Sequence, residues 1–165
     1  MENNKITYVT GDATKPLKNT PIRIIPHVCN DIGAWGTGFV LALSRMWPGP
    51  EASYKEWARA GIDMIAGAFK LGNVQLVEVE PNLFIANIIG QRVTGYSDGM
   101  PPVRYDAIRS GLKHIRDTFR GSDFSIHAPK FGSALAGGDW NIIESIIEEE
   151  LCEKGVPVTV YNFGG

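Results

Sequence analysis

Residues 22–46 constrain the fold most strongly, because an apolar run, a polar loop and an apolar helical pattern follow one another directly. The apolar run predicts a buried strand, and Gly33, Gly36 and Gly38 predict the loop. A helix is predicted to begin near Phe39. Glycines at such a junction let backbone N–H groups approach a ligand closely, and a helix N-terminus adds partial positive charge. The segment therefore predicts either a phosphate-binding turn or a plain strand-to-helix connection.

A second segment of the same kind lies near the C-terminus. Residues 124–128 (FSIHA) predict a strand, glycines interrupt the loop over 129–140, and a helix with isoleucines on one face follows. In an open α/β sheet, ligands bind outside the carboxyl ends of the strands. Two such loops placed side by side can hold a diphosphate from both sides, so the repetition favours ligand binding for both.

Composition limits the class of protein. The 165 residues are 44% hydrophobic and 21% charged, which predicts one globular domain over 1–165. A net charge of −2 argues against a general nucleic-acid or membrane surface, so local donors have to bind an anionic ligand. Cys29 and Cys152 show neither metal-ligand nor disulfide spacing, and no apolar signal segment opens the chain. We therefore expect a monomer in a reducing cytoplasm, with no membrane partner.

The other segments alternate between strand and helix patterns. Two β-rich runs joined by Glu80-Pro81-Asn82 predict an antiparallel hairpin within an otherwise parallel arrangement, so the sheet should be mixed. Residues 90–102 lack periodicity and are either a lid or a surface connection. Six strands interleaved with about four helices predict an α/β fold, a three-layer α/β/α sandwich with a mixed six-stranded sheet. Beyond the two loop segments, strands are predicted at 5–10, 74–79, 83–89 and 156–161, and helices at 51–60 and 104–119.

Four motifs occur in a fixed order along nearly the whole chain. They are ITYVTGDAT from Ile6, HVCN followed by GAWGTG from His27, PKFGSALAGGDW from Pro129 and VTVYNF from Val158. Each alone is weak, but in this order they resemble the macro domains, which bind ADP-ribose. His-x-Cys-Asn followed by Trp-Gly-x-Gly is most similar to the branch of the yeast-type ADP-ribose 1″-phosphate phosphatase and its bacterial and phage relatives. The resemblance agrees with the predicted sandwich, and no cofactor is expected.

The resemblance implies which residues hold ADP-ribose. Asp12 and Ala13 match the adenine site, although Asp beside Gly is also a common turn-former. Phe163 either stacks on adenine or is an exposed terminal aromatic. Asn30 matches the contact with the distal ribose, and Trp35 either covers that ribose or packs in the core. Backbone donors dominate the two diphosphate loops, which are Gly36, Thr37 and Gly38 and then Gly132, Ser133, Ala134, Leu135, Ala136 and Gly137.

Hydrolysis at the distal ribose needs a group that activates water and donors for the departing charge. His27 matches the histidine of the phosphatase branch and titrates in a suitable range, although a lone histidine in a strand is more often a hydrogen-bonded core residue. Cys29 shares its strand face and is interpreted as a small buried hydrophobe. Asp31 either orients water or is a plain loop residue, and Asp139 is an N-cap candidate first and a catalytic carboxylate second. With Asn30, these residues form the candidate catalytic set.

Two other hydrolase branches of the family are not matched. One carries an aspartate shortly after the first glycine run, where this chain has Phe39, and the other uses a lysine after the fourth strand, where it has residues 88–91 (IIGQ). The predicted function is metal-independent hydrolysis of ADP-ribose 1″-phosphate or a related distal-ribose derivative. The alternatives are a non-catalytic reader of ADP-ribosylated macromolecules and a mono-ADP-ribosyl hydrolase acting on protein or nucleic acid. A doubly wound nucleotide enzyme is disfavoured because no Gly-x-Gly-x-x-Gly follows the first strand.

Overall fold

The computed structural model describes residues 4–94, 99–133 and 136–163. Within these ranges the chain forms a six-stranded sheet, a two-stranded hairpin and four α-helices, with a 3₁₀ turn at Cys152–Lys154. The strands are β1 Thr7–Thr10, β2 Ile22–Asn30, β3 Ile62–Asp63, β4 Gly67–Ala68, β5 Val74–Glu80, β6 Leu83–Gln91, β7 Phe124–Ala128 and β8 Val158–Asn162. The helices are α1 Phe39–Met46, α2 Gly49–Ala60, α3 Tyr105–Thr118 and α4 Trp140–Glu150.

The six-stranded sheet has the order β1-β8-β7-β2-β6-β5. β5 is antiparallel to β6, and every other neighbouring pair is parallel. The mixed six-stranded sheet and its antiparallel hairpin are therefore as predicted. β2 lies at the centre, where Ile24 pairs with Phe84 of β6 and Ile126 of β7. The loop that follows β2 consequently opens at the middle of the carboxyl edge.

Helices cover both faces of the sheet, so the three-layer sandwich is confirmed. In β2, Ile24 packs into the core beneath α3 and α4, whereas Ile25 packs into the core beneath α1 and α2. Both side chains are completely buried. Strands buried on both faces carry nearly continuous apolar runs, which explains why β2 and β6 lack a clean polar alternation.

The helix predicted at 104–119 is observed as α3, which buries an apolar stripe. Ile108, Leu112 and Ile115 are fully buried against the sheet. Gly111 lies between them, and a Cβ atom added there would come within 2.6 Å of Ile88 Cγ2. The helix thus approaches β6 more closely than a side chain at position 111 permits.

Most predicted elements shift by one or two residues at their ends, and the differences at β6 and at the β3–β4 hairpin change the pairing of strands. The sequence predicts a strand over 83–89, whereas β6 extends to Gln91, which pairs with Asn30 after a register shift. The β3–β4 hairpin is not predicted, because each strand has only two residues and its tip exposes Met64 and Ile65 almost completely. Residues 95–98, within the segment interpreted as either a lid or a surface connection, lie outside the described ranges. Within those ranges, no helix has the length and apolarity required to cross a membrane.

Candidate functional site

Two adjoining cavities form a cleft at the carboxyl ends of the strands. The inner cavity, of about 480 Å³, lies between the loop after β2 and the loop after β7. The outer cavity, of about 540 Å³, lies between the end of β1, one face of α1 and the end of β8. Gly38, Phe39 and Pro129 line both. The predicted site residues that line the inner cavity are His27, Asn30, Trp35, Gly36, Thr37, Gly38, Gly132, Ser133 and Ala136, and those that line the outer cavity are Asp12, Ala13, Gly38 and Phe163.

The N-terminus of α1 lies where the two cavities meet. Its N-cap residue is Gly38, and no side chain caps it. The first N–H groups of a helix lack partners within the helix, and the helix dipole places partial positive charge there. Phe39 and Val40 of the first turn also line the inner cavity. This end of α1 is therefore suited to an anionic group.

The first glycine loop folds around the side chain of Asn30, which is only 5% exposed. Asn30 Oδ1 accepts hydrogen bonds of 3.1 Å from the backbone N–H groups of Ile32 and Ala34, and Asn30 Nδ2 donates to the Ala34 carbonyl. The Tyr54 hydroxyl donates to Asn30 and lies 2.7 Å from both its carbonyl oxygen and its Oδ1 atom. Asn30 thus determines the shape of the loop, whatever it contributes to a ligand.

The second glycine loop is closed at its ends by its own backbone. Gly138 N donates to the Gly132 carbonyl at 2.9 Å. A Cβ atom on Gly138 would lie 2.2 Å from that carbonyl oxygen, so the closure requires glycine. Ala136 O accepts from Val103 N at 3.0 Å, which holds the loop against the start of α3. The predicted ligand residues Ala134 and Leu135 lie outside the described ranges.

His27 is buried at the base of the inner cavity, with 2% of its surface exposed. Its Nε2 atom lies 2.5 Å from Asn87 Oδ1. Burial lowers the pKa of His27 to about 4, and the hydrogen bond with Asn87 opposes this shift only in part. The Trp35 ring meets the imidazole edge-on at 5.5 Å between centroids, and Cys29 Sγ lies 3.8 Å from Nε2. The imidazole is therefore neutral at neutral pH.

A network of amides fixes the tautomer of His27. Asn87 Nδ2 donates to Gln75 Oε1 at 3.1 Å and to the Pro50 carbonyl at 3.2 Å, and Gln75 Nε2 donates to the Ser53 carbonyl at 3.0 Å. Since both contacts of Nδ2 are acceptors, Asn87 Oδ1 is the atom that faces His27 and accepts from Nε2–H. The lone pair of the imidazole therefore resides on Nδ1. Sequence analysis missed Asn87, although an asparagine inside an apolar strand was a usable signal.

The two candidate carboxylates make other contacts. Asp31 Oδ1 accepts from the backbone N–H of Val93 at 2.8 Å, which ties the loop after β2 to the segment after β6. Val93 has φ +51°, an uncommon conformation for a β-branched residue. Asp139 caps α4, where Oδ1 accepts from Asn141 N at 2.9 Å, so the N-cap prediction is confirmed. Neither aspartate is among the described residues that line the two cavities.

The outer cavity brings together the ends of β1 and β8. Asp12 Oδ1 accepts from Thr14 N at 2.8 Å and from Thr14 Oγ1 at 2.7 Å, so Asp12 stabilises the turn that follows β1. Ala13 is buried beneath this turn, and the ring of Phe163 is 78% exposed. One oxygen of Asp12 is thus occupied within the chain, while the aromatic face of Phe163 is accessible.

Trp35 and Cys29 line the inner cavity, whereas Cys152 lies in the core. Trp35 is 8% exposed, and its Nε1 donates to Ser44 Oγ at 2.8 Å, so it packs in the core as well as lining the inner cavity. Cys29 and Cys152 are free and buried, and burial raises the pKa of both thiols, which confirms that Cys29 acts as a small hydrophobe. The described part of the chain contains no group of three or more His, Cys, Asp or Glu side chains suited to a metal ion.

His127 of β7 is a core residue. It is completely buried, and burial lowers its pKa to about 4. Nδ1 lies 2.7 Å from the Tyr161 hydroxyl and Nε2 lies 2.8 Å from Ser125 Oγ. The same tyrosine hydroxyl accepts from Leu17 N at 2.9 Å. This network connects the loop after β1 to the centre of the sheet.

These features define a class: an α/β/α domain with a two-part cleft at the carboxyl ends of its strands, where two glycine loops and a helix N-terminus meet. A macrodomain protein from Streptomyces coelicolor has the same fold, with a TM-score of 0.80 and 47% sequence identity over 97% of this chain and 100% of that chain. A Bacteroides thetaiotaomicron protein of unknown function is 46% identical, with a TM-score of 0.89, over 95% of this chain and 97% of that one. The chain belongs to the macro domain family.

Comparison with curated proteins gives more distant relatives. The ADP-ribose 1″-phosphate phosphatase of Saccharomyces cerevisiae is 26% identical over 88% of this chain and 93% of that protein. The zebrafish chromodomain-helicase-DNA-binding protein 1-like is 28% identical over 98% of this chain. The match covers only 16% of that protein, so the chain spans about a sixth of the relative's length. No protein-family model matches the sequence.

Proposed function

We propose that this macro domain binds ADP-ribose along the cleft. The observation that supports the proposal most directly is the pair of adjoining cavities, which meet at the uncapped N-terminus of α1. The adenosine half lies in the outer cavity, with adenine between Asp12, Ala13 and Phe163. The distal ribose lies in the inner cavity, beside Asn30 and Trp35.

The diphosphate lies between the two glycine loops. Backbone N–H groups at 36–38 and in the described part of the second loop donate to its oxygens, and the positive end of α1 adds to the attraction. Charge in the inner cavity agrees with this placement, since its described lining includes Lys130 and no carboxylate. A dianionic group meets little repulsion there, although the chain as a whole carries a net charge of −2.

We propose further that the domain hydrolyses ADP-ribose 1″-phosphate or a related distal-ribose derivative, as the name of the yeast relative suggests. In the proposed step, water attacks the phosphorus and the bond from phosphorus to the 1″-oxygen breaks. Nδ1 of His27 takes a proton from the attacking water and returns it to the departing 1″-oxygen. ADP-ribose and inorganic phosphate are the products, and backbone N–H groups stabilise the charge on the transferring group.

Other members of the candidate set have supporting roles in this proposal. Asn30 holds the loop and can offer its second Nδ2 proton to the distal ribose. Asp31 is a candidate to orient the water through its second carboxylate oxygen, and Asp139 is the more remote candidate because it caps α4.

A second function, that of a reader of ADP-ribosylated macromolecules, is favoured by the burial of His27. A base with a pKa of about 4 is weak, and an imidazole that is 2% exposed has limited access to water. A reader uses the same cleft to bind the terminal ADP-ribose and breaks no bond. A mono-ADP-ribosyl hydrolase would act at the same distal ribose on a macromolecular substrate.

Binding is tested first by calorimetric titration of ADP-ribose into the full chain, with AMP and NAD as control ligands. We expect saturable binding that is selective for ADP-ribose. A folded sample that does not bind ADP-ribose would overturn the proposal in both of its forms.

Catalysis is tested by phosphate release from ADP-ribose 1″-phosphate. We compare His27→Gln, which keeps a hydrogen-bonding side chain, with His114→Gln, which replaces an exposed histidine of α3. If the domain is a phosphatase that uses His27, only the His27 variant should lose turnover, and it should still bind ADP-ribose. Equal turnover in both variants removes His27 from the mechanism. A parent protein that binds ADP-ribose but turns over neither this phosphate nor ADP-ribosylated protein or nucleic acid favours the reader.

A further inference from the structure

Two cationic side chains line the outer cavity, where the adenosine half of ADP-ribose offers no negative charge to pair with them. Lys15, in the turn after β1, and Arg45, in the last turn of α1, both line it and are exposed. The adenosine portion carries no charge, because both negative charges of the ligand reside on the diphosphate. Over the described ranges, the ion pairs of the chain join other residues and include neither Lys15 nor Arg45.

The local balance of charge is positive. Asp12 is the one carboxylate among the described residues that line this cavity, and its Oδ1 is occupied by Thr14. Two cations therefore face one partly occupied anion, in a protein whose net charge is −2. A surplus of positive charge inside a cavity raises the local concentration of anionic ligands.

The position of Arg45 along α1 indicates which part of a ligand it would meet. Gly38 joins the two cavities, and Arg45 lies seven residues further along the chain, which corresponds to a rise of roughly 10 Å along the helix. Arg45 thus lies well beyond the diphosphate loop, on the adenosine side. Lys15 belongs to a different wall, the turn that carries Asp12 and Ala13. Two elements therefore supply cations to the adenosine end of the cleft.

We infer that the outer cavity takes a ligand with a further phosphate on its adenosine ribose, at the 2′- or 3′-hydroxyl. The inference rests on the proposed ADP-ribose site and specifies its substrate class. Lys15 and Arg45 form charge-assisted hydrogen bonds with the added phosphate, and the planar guanidinium can bind two of its oxygens at once. In an ADP-ribose polymer the same hydroxyl carries a glycosidic bond to the next ribose, so the nearest added phosphate lies one sugar further away.

Calorimetric titration of the full chain tests this inference. The ligands are ADP-ribose, its 2′- and 3′-phosphates, and an ADP-ribose dimer linked through the 2′-hydroxyl. The proteins are the parent, K15Q/R45Q and the matched control K70Q/K113Q, which removes the same charge at exposed positions that do not line either cavity. Each titration is done at low and at high salt.

We expect one of the phosphate isomers to bind the parent about tenfold more tightly than ADP-ribose at low salt, and less so at high salt. K15Q/R45Q should remove this gain while keeping the affinity for ADP-ribose, and K70Q/K113Q should retain the gain. The dimer carries a sugar in place of a phosphate on the 2′-hydroxyl and should not reproduce the gain, and an equal gain for the dimer would overturn the inference. The inference is overturned if neither isomer binds more tightly than ADP-ribose, or if K15Q/R45Q weakens all ligands alike. Absence of ADP-ribose binding by the parent overturns the proposed function as well.

Discussion

His27 Nε2 and Asn87 Oδ1 lie 2.5 Å apart at paired positions of the adjacent strands β2 and β6. Gln75 and Pro50 accept from Asn87 Nδ2, so the amide is held with its oxygen towards the imidazole. It assigns the proton of His27 to Nε2 and leaves Nδ1 as the basic atom. A buried asparagine outside the two cavities thus determines which imidazole nitrogen is available for chemistry.

Replacement of Asn87 by alanine tests this relationship. The variant leaves the Nε2–H of His27 and the Oε1 of Gln75 without a partner, which should lower the free energy of unfolding by about 1–3 kcal/mol. Nitrogen-15 NMR should show the Nε2–H tautomer of His27 in the parent and a mixture of tautomers in the variant. The signals of His127 serve as the internal control and should not change. A pure Nε2–H tautomer in the variant would show that Asn87 does not determine it.

The contact between Asp31 and Val93 leads to a second prediction, made with two substitutions. Asn at position 31 keeps an acceptor oxygen for Val93 N but removes the charge, whereas Ala removes both. We expect Asp31→Asn to keep ADP-ribose affinity within about twofold and Asp31→Ala to weaken it by about fivefold, since a hydrogen bond of this kind contributes about 1 kcal/mol. Calorimetry measures both affinities. Loss of turnover in the Asn variant, with binding intact, would instead identify the carboxylate as catalytic.

A third prediction concerns the closure of the second glycine loop. Gly138→Ala places a Cβ atom 2.2 Å from the Gly132 carbonyl oxygen, so the loop has to shift. We expect a loss of at least about 2 kcal/mol in unfolding free energy and a clear loss of ADP-ribose affinity. Gly49→Ala is the matched control, because the nearest atom to its Cβ, Val77 Cγ1, lies at an ordinary 3.6 Å. Urea denaturation and ligand titration of both variants provide the comparison, and equal stability would contradict the steric argument.

These residues also show how far sequence alone could predict the site. The two glycine loops were predictable because each follows an apolar strand and precedes a helix pattern, so the local sequence is sufficient to locate them. The role of Asn87 was not predictable from the sequence, because it depends on the register between β2 and β6. No local pattern encodes the register between strands that are distant in sequence. The meeting of Lys15 and Arg45 in one cavity likewise depends on tertiary structure.

The burial of His27 and His127 predicts a loss of stability in mild acid. Both pKa values are lowered from 6.5 to about 4, so the unfolded chain binds more protons than the folded protein between these values. Their contribution to the free energy of unfolding is therefore fully present above pH 6.5 and is lost as the pH falls towards 4. It amounts to at most roughly 3 kcal/mol for each histidine.

The carboxylates whose pKa values are lowered do not account for a loss in the upper part of this window. Glu51 and Asp63 have pKa values lowered by hydrogen bonds, from 4.5 and 3.8 respectively, so their contribution persists until the pH falls below these reference values. Urea denaturation at intervals between pH 7 and 4.5 should therefore give a free energy of unfolding that falls steadily with pH. His27→Gln and His127→Gln should each make the slope shallower, whereas His114→Gln, at an exposed position, should leave it unchanged. A slope that is the same in all of these proteins would show that the two buried imidazoles titrate normally.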